Sequence, residues 1–366
     1  MRTADVVIIG GGCIGTSVAF HLTQMGCTDV VLLELGALGG GSTAKAAGGI
    51  RQQHGDPLNA RIVQRSLGEF TQFAELTGVP IGFRQVGYLF LLDTDPDMQA
   101  FEEAVRFQQE MGIPSAVLDV DDVRELVPSL FTEDIVGATF CPSDGYAAPE
   151  AVVQGYATAA RRAGATVIPG CRASGIRTTG NRVIGVDTDQ GSIASPVVVC
   201  AAGVGSAEVA GWVGVDLPVY GQPRTIYYSG AHEAIPDAAP LTVDFSSGFY
   251  FRREGPGLLF AGRQRELEAL AAPAVRRLPS IVDLPIESSW WGYYDMSPDS
   301  NALIGAAPVD GFFYATGFSG HGFQQSPAVG EHIAELVLGA EPVLALEGLT
   351  VDRFAAQAPR VEKFVI

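Results

Sequence analysis

The chain has 366 residues, enough for two domains with large cores, and its 41 acidic against 23 basic residues give a formal net charge of −18 at pH 7. That charge repels nucleic acid and anionic membranes, and no apolar run approaches the roughly eighteen residues of a membrane span, so we expect neither partner. Five scattered cysteines, an odd number without CxxC spacing, fit buried thiols in a reducing cytoplasm better than a disulfide framework or a metal site.

The first predicted elements are a strand, a glycine turn and a helix. Val6–Ile9 is a continuous apolar run, typical of a strand buried on both faces rather than of a signal peptide. Glycines at GxGxxG spacing follow it directly. Gly10 permits the tight turn, Gly12 lets backbone approach a pyrophosphate, and Gly15 lets a helix over Thr16–Met25 pack closely on the sheet.

A second apolar strand, Val30–Leu33, ends in an acid, Glu34. A carboxylate at this distance from the glycines is suited to the hydroxyls of a ribose and would repel a ribose phosphate. A glycine turn without a ligand is the alternative, but strand, glycines, helix, strand and acid in this order favour a dinucleotide site. The order predicts FAD or NAD before NADP.

A loop rich in glycine and other small residues follows, from Gly36 to Gly49. Such a composition suggests backbone lying against a flat ligand, with Ser42 and Thr43 as hydrogen-bond donors. A flexible surface loop is the alternative. Arg51 behind an apolar Ile50 instead indicates a side chain held in place.

The rest of the chain alternates between helical and strand patterns. Helical spacing predicts helices over Asn59–Thr77, Pro96–Met111, Val120–Val127, Pro149–Gly164 and Pro327–Leu338. Apolar and β-branched runs predict strands within Arg84–Leu92, Ala138–Tyr146, Thr166–Ile168, Gly175–Thr178, Val183–Thr188, Val197–Cys200 and Gly311–Thr316. An alternating, aromatic pattern between Leu217 and Trp291, with frequent turns, predicts an antiparallel sheet.

Nucleotide-binding pattern thus appears at the start, middle and end of the chain, and antiparallel pattern fills the gaps. We therefore predict an α/β fold in which two domains are interleaved. A Rossmann-type nucleotide-binding domain would comprise residues 1–83, 146–216 and 300–366. A substrate domain built on an antiparallel sheet would comprise residues 84–145 and 217–299.

Several motifs point to one family. The segments GGGCIG, LLE, GGGSTAKAAGGIRQQ, CAAG and GFSGHGFQQSPAVGE occur in this order over nearly the whole chain. Together they resemble the FAD-dependent amine oxidoreductases of the D-amino-acid oxidase superfamily, which include the sarcosine oxidase β-subunit, dimethylglycine and proline dehydrogenases, and glycine oxidases. GFSGHGF is the most specific piece, whereas many flavoproteins share the N-terminal fingerprint.

The resemblance implies that the cofactor is FAD. Its pyrophosphate would lie on Gly10–Gly15, its ribose on Glu34 and its adenine near Ala173, while the Ser42–Gly49 loop and the Gly320–Gln324 turn would hold the ribityl chain and isoalloxazine. A helix N-terminus after this turn would stabilise the negative charge of a reduced flavin. The full set of expected cofactor residues is Gly10, Gly12, Cys13, Ile14, Gly15, Glu34, Leu35, Gly41, Ser42, Thr43, Lys45, Ala46, Ala47, Gly48, Gly49, Ala173, Ala201, Ala202, Gly203, Gly292, Gly317, Phe318, Ser319, Gly320, His321, Gly322, Phe323 and Gln324.

The resemblance also implies that FAD is held without a covalent bond. The cysteine that attaches the flavin in monomeric sarcosine oxidases falls on or near Gly292, and no cysteine follows Cys200. Histidine-linked relatives attach through the N-terminal loop, where this chain has Lys45 and Ala46. Neither attachment residue is therefore present.

On the substrate side, the arginine of the family that grips a carboxylate falls on Arg51, and a guanidinium fork suits that ligand. A salt link between domains is the alternative role. The aromatic residue of the GFY motif falls on Tyr250, which could equally be core. A lysine that helps to hold the carboxylate in monomeric sarcosine oxidases falls on Gln324, so Arg51 or Arg252 must carry more of this binding. For His321, a hydrogen bond to flavin or backbone is favoured over catalysis.

These residues predict an enzyme that oxidises the C–N bond of a small amino acid by hydride transfer to FAD. A secondary or N-methylated amine such as sarcosine, dimethylglycine or proline is preferred. One alternative is a D-amino acid or glycine as substrate. Another is a flavin-binding subunit without catalysis, with a structural or regulatory role in a larger assembly.

A dehydrogenase is favoured over an oxidase, with an electron-acceptor protein or partner subunit receiving the electrons. Fast oxygen reduction needs a positive charge beside the flavin. The lysine that supplies it in related oxidases falls on Phe260, and the chain has only two lysines, Lys45 and Lys363. Lys45, Arg263 or Arg252 are the remaining sources of such a charge.

Overall fold

The computed structural model describes residues 2–365. Its α-helices are α1 Cys13–Gln24, α2 Pro57–Thr71, α3 Phe73–Thr77, α4 Asp95–Glu110, α5 Val120–Leu126, α6 Pro149–Arg162, α7 Ser206–Gly211, α8 Leu267–Arg277, α9 Gly322–Leu338 and α10 Asp352–Ala355. Short 3-10 turns occur at Thr43–Lys45, Gly203–Gly205, Pro279–Ile281 and Glu347–Leu349. Among the helices of residues 2–365, none combines the length and apolar character that crossing a membrane requires.

The strands include all of the predicted segments, and several short strands along the chain were not predicted. In chain order they are β1 Arg2–Thr3, β2 Val6–Ile9, β3 Val30–Glu34, β4 Gly49–Ile50, β5 Tyr88–Leu92, β6 Ala116–Leu118, β7 Gly137–Cys141, β8 Gly145–Tyr146, β9 Thr166–Pro169, β10 Ala173–Thr179, β11 Arg182–Thr188, β12 Gly191–Ala194, β13 Val197–Cys200, β14 Tyr220–Ser229, β15 Leu241–Asp244, β16 Tyr250–Glu254, β17 Gly257–Ala261, β18 Ile286–Met296, β19 Leu303–Ala306 and β20 Phe312–Thr316.

A six-stranded sheet in the order β19-β20-β13-β2-β3-β9 holds β2, the first strand that the sequence predicted, near its centre. All of its pairs are parallel except β19 with β20, and every residue of β2 is buried, as its apolar run predicts. The sheet draws strands from the start, middle and end of the chain. The mixed α/β architecture is thus confirmed, whereas the proposed domain boundaries stay a prediction.

An eight-stranded sheet in the order β18-β14-β17-β16-β15-β5-β7-β6 forms the second layer. Its described neighbours are antiparallel except β5 with β15, which are parallel. The prediction of alternating strands up to Trp291 missed α8, which lies between β17 and β18. A four-stranded sheet, β1-β12-β11-β10, and the short pair β4-β8 complete the strands.

Two predicted helices have different limits in the structure. The helix predicted over Asn59–Thr77 is interrupted at Gln72, which separates α2 from α3. The helix predicted from Pro327 begins at Gly322, so Pro327 lies inside it and cannot donate to the Phe323 carbonyl. Ser326 Oγ donates to that carbonyl at 2.8 Å, which keeps it partnered. The N-terminus of α9 consequently stands directly behind the GFSGHG turn.

Helices α1, α2, α6 and α9 pack together over the six-stranded sheet. The contact between α1 and α9 is very close: a Cβ on Gly330 would lie 2.0 Å from Ser17 Oγ and 2.6 Å from Ser17 Cβ. Only glycine leaves room for this approach. Because both helices begin at the glycine-rich turns, this packing fixes the two turns relative to each other.

We predict that Gly330→Ala lowers the free energy of unfolding by about 1–3 kcal/mol, since the added methyl group has no space. The matched control is Gly68→Ala, near the C-terminal end of α2, where a Cβ would meet nothing within 4 Å. There the better helix propensity of alanine raises stability by about 0.5–1 kcal/mol. Urea unfolding at one fixed FAD concentration measures both. Equal stability of the two variants would contradict this packing.

Candidate cofactor and substrate site

A cavity of about 420 Å³ opens where the carboxyl ends of β2, β3 and β13 meet the N-termini of α1 and α9. Ligands of open α/β sheets bind at such an edge. The predicted site residues that line it are Gly10, Gly12, Cys13, Ile14, Glu34, Leu35, Gly41, Ser42, Thr43, Lys45, Ala46, Ala47, Gly48, Gly49, Arg51, Ala173, Ala201, Ala202, Gly203, Tyr250, Gly292, Phe318, Ser319, Gly320, His321, Gly322, Phe323 and Gln324. Gly15, Gly317 and Arg252 do not line it.

The glycine turn at the start of α1 is shaped by close backbone contacts. Gly10 has a positive φ of 115°, and a Cβ there would lie 2.2 Å from the carbonyl oxygen of Ala201. A Cβ on Gly15 would lie 1.9 Å from the carbonyl oxygen of Gly10, so Gly15 serves packing and not the ligand. Gly12 caps α1 without a side chain, which leaves first-turn N–H groups for an anion.

Glu34 ends β3 at the rim of this turn. Its Oε2 accepts a hydrogen bond from the N–H of Gly11 at 2.7 Å, and its Oε1 accepts one from the N–H of Gly36 at 2.9 Å. These contacts hold the carboxylate beside the glycines. An anion-binding helix N-terminus, a fixed acid and a cradle without side chains fit the pyrophosphate and ribose of FAD.

Asp295, a half-buried acid on the cavity wall that the sequence prediction missed, organises the second turn. Asp295 Oδ2 accepts a hydrogen bond from the N–H of Gly317 at 2.9 Å, and its carbonyl oxygen accepts one from Ser319 at 2.9 Å. Gly317 therefore shapes the turn from behind the cavity wall. Burial raises the pKa of Asp295 to about 6, while backbone N–H groups of the turn oppose that rise. An acid at the end of the aromatic strand WWGYYD was the available signal.

The small-residue loop crosses β18 at Gly292. A Cβ on Gly292 would lie 2.6 Å from Lys45 Cβ, so the loop requires glycine at this crossing. Trp290 Nε1 donates to the carbonyl oxygen of Lys45 at 3.3 Å. The loop is therefore fixed on the sheet, and the prediction of an ordered loop fits this placement better than a flexible one.

Tyrosines and apolar side chains form the other end of the cavity. Tyr88, Tyr250 and Tyr294 line it, together with Ile226 and Leu241. Burial raises the pKa of all three tyrosines, so their hydroxyls stay protonated. Tyr88 and Tyr294 were not predicted, although Tyr88 carries a hydroxyl at the start of the apolar strand YLFLL.

Two arginines reach this end, and they differ in how many of their donors are free. Arg51 is 3% exposed; its Nη2 contacts His321 Nε2 at 3.0 Å and the carbonyl oxygen of Phe364, and its Nη1 donates to the carbonyl oxygen of Gln53. Arg224, which was not predicted, lies over the Tyr294 ring at 5.2 Å and makes one long hydrogen bond of 3.4 Å to Pro223. Its buried Nε has no partner among the described residues.

Arg252 is a correction to the predicted substrate residues. Its Nε donates to the carbonyl oxygen of Ala47 at 2.8 Å, and its Nη1 pairs with the Glu254 carboxylate. The guanidinium also lies 4.4 Å from the centre of the Tyr146 ring. With these partners and no surface in the cavity, Arg252 anchors the small-residue loop and is no longer a substrate-binding candidate.

His321 accepts a hydrogen bond and therefore carries no charge. Arg51 can only donate, so the His321 Nε2 that it contacts must be unprotonated. Burial, with the positive charge of Arg51 and the neighbouring His54, lowers the pKa of His321 well below its usual value. A neutral ring held in this way fits the hydrogen-bonding role better than that of a catalytic acid.

Phe260, the position on which the oxygen-activating lysine of related oxidases falls, does not line the cavity. Phe260 packs with Tyr227 in one apolar cluster, whereas its neighbours Leu259 and Ala261 pack with Tyr250 in another. Side chains alternate between the two faces of a strand, so Phe260 points away from the face of the sheet that carries Tyr250.

Comparisons with known proteins agree with this site. A family model described as FAD dependent oxidoreductase matches residues 5–336. Human mitochondrial sarcosine dehydrogenase is 28% identical over 96% of this chain, but the match covers only 41% of that protein. FAD-dependent oxidoreductase domain-containing protein 1 of Xenopus laevis is 29% identical over 99% of this chain and 85% of that protein. This chain therefore spans about two fifths of some curated relatives. The crystal structure of L-proline dehydrogenase from P. horikoshii superposes with a TM-score of 0.93 at 28% identity, covering 98% of this chain and all of that one.

We predict that the flavin is released by acid. Cys13 lies at the start of α1, where burial raises its pKa to about 11, and Cys171 donates its backbone N–H to Glu34, so both cysteines of the cavity stand at the dinucleotide end. No cysteine thus faces Gly292 from the described cavity wall. Acid precipitation should give a colourless pellet and a yellow supernatant. Colour that stays in the washed pellet would show a covalent link.

Proposed function

The chain belongs to the family of FAD dependent oxidoreductases, and from that premise we propose that it oxidises the C–N bond of a small amino acid, preferably a secondary or N-methylated one. The observation that carries the proposal is the tyrosine-lined end of the cavity, which places two arginines beside apolar and aromatic walls. Arginine suits a carboxylate, and the apolar walls suit the N-methyl or ring carbons of such an amine.

The residues divide the work between cofactor and substrate. The two glycine turns and Glu34 would hold FAD, which supplies the hydride-accepting chemistry. Arg51 or Arg224 would bind the carboxylate, and Tyr88, Tyr250 and Tyr294 would exclude water from the reacting amine. His321 is a weak base, because Arg51 engages its Nε2 and its pKa is lowered well below the usual value, so the amine must arrive or become neutral without a strong protein base.

The names of relatives support this substrate class. Several act, by name, on sarcosine, dimethylglycine, 4-methylaminobutanoate or proline, whose amines are secondary or N-methylated. Glycine oxidases are among the similar structures, which keeps glycine or a D-amino acid as a second candidate. A mouse relative is named as a phosphatase regulatory subunit, and a bacterial one as a subunit of sarcosine oxidase. A non-catalytic role and a partner subunit therefore also stay proposals, as does the cytoplasmic location.

We predict that anaerobic titration with sarcosine, dimethylglycine or proline bleaches the oxidised flavin band, and that the amide of the same amino acid is a much poorer reductant. The amino acid and its amide should differ because only the carboxylate can pair with an arginine of the cavity. Loss of colour with glycine or a D-amino acid alone would favour the second candidate. A flavin that no amine reduces would support the non-catalytic role.

Matched arginine variants identify the carboxylate partner in the same titration. Arg51→Met should weaken binding of the carboxylate substrate by about 2–5 kcal/mol and leave binding of the amide nearly unchanged. The affinity for FAD should stay close to that of the wild type. The same change at Arg224, the freer guanidinium, is the comparison. If only Arg224→Met removes the preference for the carboxylate, then Arg51 is a structural residue held by His321 and Phe364.

We further propose that the enzyme is a dehydrogenase or a sluggish oxidase. No lysine or arginine occurs in β17, and Arg263 donates to Ser246 outside the cavity. The cations that line the described cavity are Lys45, Arg51, Arg172 and Arg224, of which Arg172 lies beside Cys171 at the dinucleotide end. Arg51 is largely occupied by protein acceptors. The electrons would then pass to another protein or acceptor.

We predict that substrate-reduced protein mixed with air-saturated buffer regains its yellow colour slowly, over many seconds. A fast oxidase would need a preorganised charge worth several kcal/mol at the barrier. Return of colour within a fraction of a second would refute the dehydrogenase proposal. Lys45→Met and Arg224→Met then serve as the controls, because the variant that loses the fast reaction contains the oxygen-activating position.

A further inference from the structure

Gln324, in the first turn of α9, is 4% exposed and lines the cavity. Its amide is held at both ends: Oε1 accepts a hydrogen bond from the backbone N–H of Arg51 at 2.9 Å, and Nε2 lies 3.1 Å from His54 Nε2. A backbone N–H can only donate, so the amide cannot be flipped. Its Nε2 must therefore face His54 as a donor.

This orientation determines the proton on His54. Because Gln324 donates to His54 Nε2, that nitrogen is the acceptor and the ring proton resides on Nδ1. Nδ1 lies 3.3 Å from Glu362 Oε2, an ion-pair contact without hydrogen-bond geometry, and no described group is its hydrogen-bond partner. Hydrogen bonds thus run in one direction from Arg51 through Gln324 to His54, and the protonated Nδ1 of His54 faces the carboxylate of Glu362.

Glu362 is a fixed anion. It is 3% exposed and accepts from the N–H of Gly55 at 3.0 Å, Asn59 Nδ2 at 2.9 Å and the N–H of Phe364 at 2.9 Å. Burial opposes its charge, but His54, with the nearby His321 and Arg51, holds the pKa of Glu362 well below its usual value. Burial and Arg51 lower the pKa of His54, so an uncharged ring faces an ionised carboxylate.

The segment of residues 360–365 brings this carboxylate to the site. The Phe364 ring stacks on Phe101 at 3.8 Å between centroids and 5° between planes, and its carbonyl oxygen accepts from Arg51 Nη2. The backbone N–H of Arg360 donates to Asp299 Oδ2 at 3.0 Å. The same short segment therefore contacts both Arg51 and, through His54, Gln324.

We propose that Gln324 donates its second Nε2 hydrogen to the substrate carboxylate, and that Glu362 and His54 are positioning residues which hold that donor towards the cavity. The inference rests on the proposed function, since it needs a carboxylate substrate at the arginine end. The proposal is based on the number of N–H donors: Gln324 Nε2 has two hydrogens, and only one of them is donated to a protein group, His54 Nε2. Arg51, with most of its donors occupied, leaves room for a second carboxylate ligand.

The proton on His54 tests the positioning step without any substrate. In FAD-loaded protein with ¹⁵N-labelled histidine, His54 signals are assigned by their loss in His54→Asn. We expect a protonated Nδ1 and an unprotonated Nε2 in wild type, and a loss of this single form in Glu362→Gln. The opposite tautomer, or a doubly protonated ring, in wild type would overturn the proposal.

Substrate affinity tests the role of Gln324. The amine that reduces the flavin best is used with its amide, and both Kd and the limiting rate of reduction are measured. Gln324→Leu should raise Kd for the carboxylate about tenfold, with the limiting rate within about twofold of wild type. His54→Asn, which keeps a donor towards Glu362 but removes the acceptor for Gln324, should show the same loss.

The double variant separates positioning from general damage. If His54 acts through Gln324, the double variant loses no more affinity than Gln324→Leu alone. Additive losses, or losses shared equally by the amide, would overturn the proposal. Glu341→Gln is the control for charge: it removes one negative charge, as Glu362→Gln does, but at an exposed position. It should leave Kd unchanged. If no amine reduces the flavin, the proposed function fails together with the substrate role of Gln324, whereas the histidine tautomer still decides whether Glu362 orients His54.

Discussion

The structure depends on three contacts in which a strand or helix backbone approaches its neighbour so closely that only glycine fits. Gly10 meets Ala201, Gly15 meets Gly10, and Gly330 meets Ser17 at distances that exclude any Cβ. These contacts bring the central strand, α1 and α9 together, and with them the two helix N-termini. FAD, whose ribityl chain separates its pyrophosphate from its flat ring system, requires both turns at a fixed separation. The glycines provide it because only they have no side chain to displace.

Around the substrate end the governing interaction is electrostatic. Arg51, His54 and Glu362 are buried, where an unpartnered charge is costly, and most of their polar atoms have a hydrogen-bond or ion-pair partner. Such a network is rigid, since moving one member leaves another unsatisfied. The same saturation limits what Arg51 can offer a ligand and shifts part of that duty to Arg224 and Gln324.

Much of the dinucleotide end was predictable because its signals are local. Strand, glycines, helix and acid lie within one short stretch, so their relation in space follows from one supersecondary unit. The placement of Glu34 and of the glycine turn in the cavity agrees with that reading. The start of α9 was predicted too late because Pro327 was taken as its beginning. Arg252 was given a substrate role because motif position does not reveal that a side chain faces Ala47 and Glu254.

The sequence alone determined the mixed α/β class, the FAD-type nucleotide turn and the family, since each depends on residue types and spacings along the chain. Only the tertiary structure decided which side chains share the cavity. Tyr88, Arg224 and Tyr294 come from separate strands, and Phe364 reaches Arg51 across 313 positions of sequence. No local pattern encodes such contacts, because they arise when sheets and helices pack and long-range partners satisfy one another's buried polar groups.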